Sequence, residues 1–170
     1  DVERRQGDPA VLVARTEMEA TPVLVVEWIE PGAPARDHDE QVGHQLAALH
    51  LAGAPSFGFD HDGFIGPLPL DNTPTDDWPT FYAERRIRPL LRLAHDRGRL
   101  EPTTVAAIDH LLDGLADRAG PPEPAARLYG DLWAGNALVD ASGAPVLVDP
   151  AAHGGHREVD LAMMRLFGGF

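Results

Sequence analysis

The 170 residues contain no cysteine and no lysine, and only two serines, Ser56 and Ser142. Without thiols there are no disulfide frameworks, no cysteine nucleophiles and no Cys-ligated zinc or iron–sulfur sites. Without ε-amines there is no Walker A phosphate loop and no Schiff base, since all 14 basic residues are arginine. Neither serine occupies a G-x-S-x-G elbow: the contexts are Ala54-Pro55-Ser56-Phe57-Gly58 and Asp140-Ala141-Ser142-Gly143, which argues against an α/β-hydrolase. Positive charge is scarce too. Fourteen arginines face 27 acids, for a net charge of −13, and such a surface repels nucleic acid and anionic membranes. The longest apolar stretch, Val23–Val26 followed by Glu27, Trp28 and Ile29, is far short of the ~20 residues of a membrane span, and no signal peptide opens the chain. A soluble, cytoplasmic protein is expected. The 44% hydrophobic and 24% charged residues suit one globular domain.

The opening runs, Val11–Thr16 and Val23–Ile29, read as a β-hairpin. Glu30-Pro31-Gly32-Ala33-Pro34 ends the second strand in an extended connector. Val42, Leu46, Leu49 and His50 then recur at helical spacing, with Asp37 as N-cap, and predict a helix of about four turns. Residues 53–79 combine Gly, Pro, Asp and Asn with Phe57, Phe59, Phe64, Ile65 and Trp78, which predicts a long ordered loop pinned by its aromatics. Helical spacing returns over Phe81–Arg97, where Pro89 must kink or divide the helix, and again through Val105, Ile108, Leu111, Leu112 and Leu115. Three short strands are predicted at Ala126–Tyr129, Asn136–Val139 and Pro145–Val148, before a last helix through Val159–Phe167.

These strands bracket the residues with chemistry. Asp131 is followed five residues later by Asn136, and Asp149 ends the apolar strand Val146-Leu147-Val148. Kinase-like phosphotransferases lay out a catalytic carboxylate and two metal ligands in this way. Phosphoryl transfer needs a carboxylate beside the attacking hydroxyl and separate oxygen ligands holding Mg²⁺ against the nucleotide phosphates. Taken singly, Asp and Asn mostly make turns, and it is the combined spacing that points to a site.

The runs Gly130-Asp131-Leu132-Trp133-Ala134-Gly135-Asn136, Asp149-Pro150-Ala151 and Gly155–Met163 resemble the fructosamine kinase (ketosamine-3-kinase) family. The resemblance extends to Leu24–Glu30, Gln45–His50, Phe57-Gly58-Phe59, Phe64-Ile65-Gly66 and Leu166–Phe170, nearly the whole chain. It implies an α+β, protein-kinase-like fold: a mainly helical C-terminal lobe with a short catalytic β-hairpin over residues 31–170, preceded by a residual N-lobe hairpin and hinge strand over residues 1–30. It also implies ATP- and Mg²⁺-dependent phosphorylation of the 3-hydroxyl of a sugar joined to an amine, free or on a glycated protein, which reverses glycation. By position, Asp131 would be the catalytic base, Asn136 and Asp149 the metal ligands, Trp28 and Glu30 the adenine-binding hinge, Trp133 a platform for the sugar, and Asp160 a support for the catalytic loop. Tyr129 stands where the family usually has His, a residue that packs and orients the loop. The family's glycine-rich loop, lysine and lysine-pairing glutamate have no counterpart, so the resemblance implies a fragment that begins near the fourth strand of the upper lobe and lacks helices beyond Phe170. The alternatives are a hydroxyl kinase of the aminoglycoside or choline kinase type, which shares the Asp/Asn/Asp layout, and a truncated, non-catalytic kinase-like module.

Three features are read as structural. Asp60-His61-Asp62-Gly63 begins like a calcium loop, but Ile65 and Asp71 stand where that loop needs Gly and Glu. His153 and His156 lack a third zinc ligand. Arg85, Arg86 and Arg88 read as a solvated helix face paired with acids.

Overall fold

The computed structural model describes residues 14–18 and 21–170. The opening hairpin forms from β1 (Ala14–Met18) and β2 (Thr21–Val25), antiparallel, with Ala14 opposite Val25. It is shifted from the expected bounds. Val26–Ile29 have left the strand because the register ends at Val25, and Val11–Val13 lie outside the described residues. The connector then runs across a second hairpin further along the chain, where Gly32 N–H donates to the Val139 carbonyl (2.9 Å) and Ala35 N–H to that of Gly143 (3.1 Å).

Helix α1 (His38–Leu51) buries Val42 and Leu46, as its spacing predicts. Asp37 occupies the N-cap position, but its side chain makes no capping hydrogen bond. The long loop that follows is ordered and contains a small hairpin, β3 (Gly63–Ile65) and β4 (Leu68–Leu70). Phe57 and Trp78 are buried with their ring centroids 6.2 Å apart and anchor the two ends of the loop, whereas Phe59 and Phe64 remain exposed.

Next comes a helix in three parts: α2 (Trp78–Phe81), a π-helical segment (Tyr82–Ile87) and α3 (Arg88–Asp96). Asp77 caps its start by accepting from Thr80 N–H at 2.8 Å. The wider turn is the local answer to Pro89, which has no N–H to donate and crowds the carbonyl four residues back. That carbonyl, on Arg85, accepts from the Arg86 guanidinium instead (3.2 Å). The arginine run is therefore only partly a solvated face. Arg85 pairs with Asp71, and Arg88 with Glu84, Asp109 and Asp113. Arg86 is buried over the Phe81 ring and donates to the Asn72 side chain and the Asp71 carbonyl. Burial lowers its pKa to about 10.

The third amphipathic stretch forms α4 (Pro102–Asp113) and a short α5 (Leu115–Arg118), divided at Gly114. Strand β5 (Ala126–Leu128) pairs antiparallel with β8 (His153–Gly155), while β6 (Ala137–Val139) and β7 (Pro145–Leu147) form the second hairpin. Between β5 and β6 lies a single 3₁₀ turn, Ala134–Asn136, and α6 (Glu158–Phe167) closes the described chain. The result is an α+β arrangement of helices around four two-stranded sheets among the described residues. Two apolar clusters hold it together: Phe57, Trp78, Phe81 and Ala125 at one end, and Leu46, Tyr129 and Leu132 beneath the β5–β6 loop.

Candidate functional site

The β5–β6 loop hangs from one buried carboxylate. Asp160, in the first turn of α6, is 0% exposed and accepts from Tyr129 N–H and Gly130 N–H, both at 2.9 Å. Its Oδ2 also meets His50 Nε2 at 2.8 Å, so α1, α6 and the loop share one joint. Three donors satisfy a charge that would otherwise be costly to bury. Gly130 has φ +92°, and a Cβ there would overlap the Ala151 carbonyl, so this left-handed turn beside residues 149–151 requires glycine.

One residue further on, Asp131 is held by Asn136. The Asn136 Nδ2 donates to the Asp131 carbonyl (3.0 Å) and to its carboxylate Oδ2 (3.1 Å). A carboxylate only accepts, so the amide turns its nitrogen to Asp131, and no hydrogen bond among the described residues engages Asn136 Oδ1. The backbone of Asn136 also fixes the second strand, its carbonyl accepting from Val148 N–H at 2.9 Å. Asp149 follows, with φ +58°, the one non-glycine residue with positive φ among those described. Tyr129 reaches across, its hydroxyl donating to the Val148 carbonyl. Burial, and then the negative charges of Asp149, Asp131 and Asp160, push the Tyr129 pKa up, so it stays a neutral donor.

The donor set here is one amide oxygen and one carboxylate, on a strand end and the loop it pins. Mg²⁺ takes few protein ligands, oxygen by preference, and keeps water or phosphate oxygens for the rest, so this set fits it. No cluster of three His, Cys, Asp or Glu residues among the described residues forms an all-protein cage. His153 is a core residue, stacked on Phe81 at 5.6 Å with its Nδ1 on the Ala151 carbonyl (3.0 Å), and burial lowers its pKa to about 4.

Trp133 joins this cluster through its backbone, its N–H donating to the Asp131 carbonyl (3.1 Å) and its carbonyl accepting from Asn136 N–H (2.9 Å). Trp133 is 42% exposed, packs edgewise on Phe167 with centroids 6.3 Å apart, and lies over Gly135, where a Cβ would strike its ring. Trp28 is 79% exposed and donates through Nε1 to Glu30 at 3.1 Å. Among the described residues no hydrogen bond joins Trp28 or Glu30 to Asp131, Asn136 or Asp149. Sequence reasoning gave His50 no role, although it named the residue on the buried stripe of α1 and in the run Gln45–His50. A cavity of about 1200 Å³ between α1 and α6 is mainly apolar and touches none of the three. Another, of about 200 Å³, lies between the β3–β4 hairpin and Pro150–Ala152, immediately after Asp149.

The sequence profile of the family described as "Fructosamine kinase" matches residues 8–170. A Synechocystis protein that carries the name ketoamine kinase is 43% identical over 148 residues, 86% of this chain and 49% of the relative. A Thermus thermophilus protein of the same name is 38% identical over 164 residues, 96% of this chain and 58% of the relative. Among solved structures, a Thermobifida fusca protein that carries the name fructosamine-3-kinase superimposes with a TM-score of 0.84 at 51% identity, covering 96% of this chain and 56% of that one. The chain thus spans about half the length of the curated relatives it matches. A profile that matches residues 8–170 covers nearly the whole sequence, and the chain belongs to the fructosamine kinase family.

Proposed function

We propose that the protein is an ATP-dependent kinase that phosphorylates the 3-hydroxyl of an amine-linked sugar, destabilising the adduct and so repairing glycation in the cytoplasm. The observation that carries this reading is the hydrogen-bonded Asp131–Asn136 pair, closed by Asp149 at the end of the same hairpin. Asp131 is the base. Because Asn136 Nδ2 occupies its Oδ2, Oδ1 is left to take the proton from the sugar hydroxyl as that oxygen attacks phosphorus. Asn136 Oδ1 and the Asp149 carboxylate would hold Mg²⁺, which when bound neutralises phosphate charge. Asp160 and His50 keep the loop's backbone fixed, so Asp131 need not reorganise during the reaction.

The remaining assignments belong to the same reading. The fold is protein-kinase-like, with residues 1–30 as upper-lobe hairpin and hinge and residues 31–170 as the helical lobe. The backbone at Trp28 and Glu30 binds adenine, and the exposed face of Trp133 stacks on the sugar. The test uses the protein expressed from its full reading frame, incubated with Mg²⁺, ATP and Nε-fructosyl-lysine. Phosphorus bonded to O3, read by carbon–phosphorus coupling in NMR, is the expected product. Phosphate on another hydroxyl, or transfer only to an aminoglycoside or choline, would replace this reading.

A further inference from the structure

Two hydrogen bonds converge on Val148, the residue that leads into Asp149. Its N–H donates to the Asn136 carbonyl at 2.9 Å, and its carbonyl accepts from the Tyr129 hydroxyl. A peptide group is planar, so the Val148 carbonyl and the Asp149 nitrogen turn together. Whatever fixes that carbonyl fixes the peptide from which Asp149 departs, and Asp149 departs at φ +58°. Rotation of this one peptide would carry Asp149 to negative φ, the range an L-residue prefers. The Tyr129 hydroxyl is bonded to the carbonyl that such a rotation would have to move.

Tyr129 is itself held from several sides. Its backbone N–H donates to Asp160 at 2.9 Å, which ties it to α6. Its ring is 5% exposed and packs with Leu46 of α1 and Leu132 of the loop, and Leu147 of β7 lies against the same cluster. The hydroxyl is therefore a fixed point between α1, α6 and the β6–β7 hairpin. Tyr129 stands where the family usually has His, a shorter side chain without a hydroxyl, so a tie of this kind follows from this chain's own departure.

We propose that Tyr129 is a positioning residue for Asp149: its hydroxyl holds the Val148–Asp149 peptide in the conformation in which Asp149 serves as a metal ligand. The inference rests on the metal-ligand role proposed for Asp149. Removing the hydroxyl should then weaken the binding that depends on Mg²⁺ and spare the binding that does not.

The test compares the wild-type full-frame protein with Tyr129→Phe, which keeps the ring, and with Leu46→Val, which loosens the same apolar cluster and keeps the hydroxyl. In the metal-free protein, hydrogen exchange at the Val148 amide, read by NMR against the amides of α4, is expected to quicken about fivefold or more in Tyr129→Phe and to stay within about twofold in Leu46→Val. Calorimetric binding of ADP with Mg²⁺ should weaken about fivefold in Tyr129→Phe, the range for one lost hydrogen bond, while ADP without Mg²⁺ binds within about twofold of wild type. Leu46→Val should leave both affinities unchanged. A lower melting temperature in Tyr129→Phe with unaltered Mg²⁺–ADP affinity would reduce Tyr129 to a packing residue and overturn the proposal, and so would an equal loss of that affinity in Leu46→Val. If Asp149→Ala weakens Mg²⁺–ADP binding and Tyr129→Phe does not, this inference falls and the metal role stands. If Asp149→Ala leaves that binding unchanged, both fall.

Discussion

Asp149 holds a backbone conformation that L-residues avoid, at a cost of about 1 kcal/mol or more that Asp bears better than most. Under the proposed roles, Asp131 as base and Asp149 as metal ligand should fail in different ways. In the full-frame protein, Asp131→Asn is expected to leave Mg²⁺–ATP affinity within about twofold while turnover falls by 10²-fold or more. Asp149→Ala should weaken Mg²⁺–nucleotide binding itself. Equal loss of nucleotide affinity in both variants would contradict the division of labour. His153 gives a pH-dependent prediction of another kind. Its folded-state pKa of about 4 lies below the ordinary 6.5, so the unfolded chain binds the extra proton between those values. Stability is complete above pH 6.5 and falls as pH drops toward 4, by up to about 3 kcal/mol from this residue. Urea unfolding at pH 7, 5 and 4 should show the decline, and a His153→Gln variant with an undiminished slope would rule His153 out as its source. The proximity of Asp131 and Asn136 was legible in the sequence because a carboxylate and an amide five residues apart suit one tight loop, whereas the roles proposed for them and for Asp149 await the variants above. A role for His50 was not legible, because a buried histidine joined to a carboxylate 110 positions away leaves no local pattern.

At the scale of elements, periodicity located the helices and left out whatever long-range pairing creates. Helix α1 emerged within a residue or two of its expected bounds, since Val42, Leu46 and Leu49 define one face. Strand β8 did not: His153-Gly154-Gly155 reads as a turn by composition, and only pairing with β5 and Gly58 extends it. The glycines there make room for neighbouring backbone. A Cβ on Gly154 would overlap the Ser56 carbonyl, an immovable backbone atom. Gly154→Ala should therefore destabilise the fold by about 1–3 kcal/mol, the range for overpacking, visible as a lower melting temperature. An unchanged melting temperature would show that the loop across β8 is free to shift. The Pro89 break was foreseen as a kink or a division, and the chain makes a π-helical segment instead, which keeps the helix continuous through Trp78–Asp96. Composition signals the proline but not the remedy, because Arg86 enters the repair from its own buried network.

For the whole molecule, the decisive quantities are a net charge of −13, the absence of lysine and a span of about half the length of its relatives. A nucleotide triphosphate is itself strongly anionic, so an acidic surface raises the work of bringing it to Asp131 unless local cations offset that charge. In kinases a lysine and a glycine-rich loop do this and align the phosphates, and positioning supplies most of the acceleration in phosphoryl transfer. Neither group occurs in these 170 residues. On the proposed roles, Asp131 as base and Asn136 and Asp149 as oxygen ligands are all present, so the expected deficit lies in holding phosphate. We therefore expect the isolated 170-residue chain to bind Mg²⁺–ATP weakly, more weakly still at low salt where repulsion is unscreened, and to release no ADP above background with Nε-fructosyl-lysine present. The full-frame protein in the same coupled assay should turn over, if its further residues supply the phosphate-binding cations. Mg²⁺-dependent turnover by the 170-residue chain that is lost in Asp131→Asn would show that arginines within it, or a second copy, replace the lysine, and would overturn this account of where the phosphates are held.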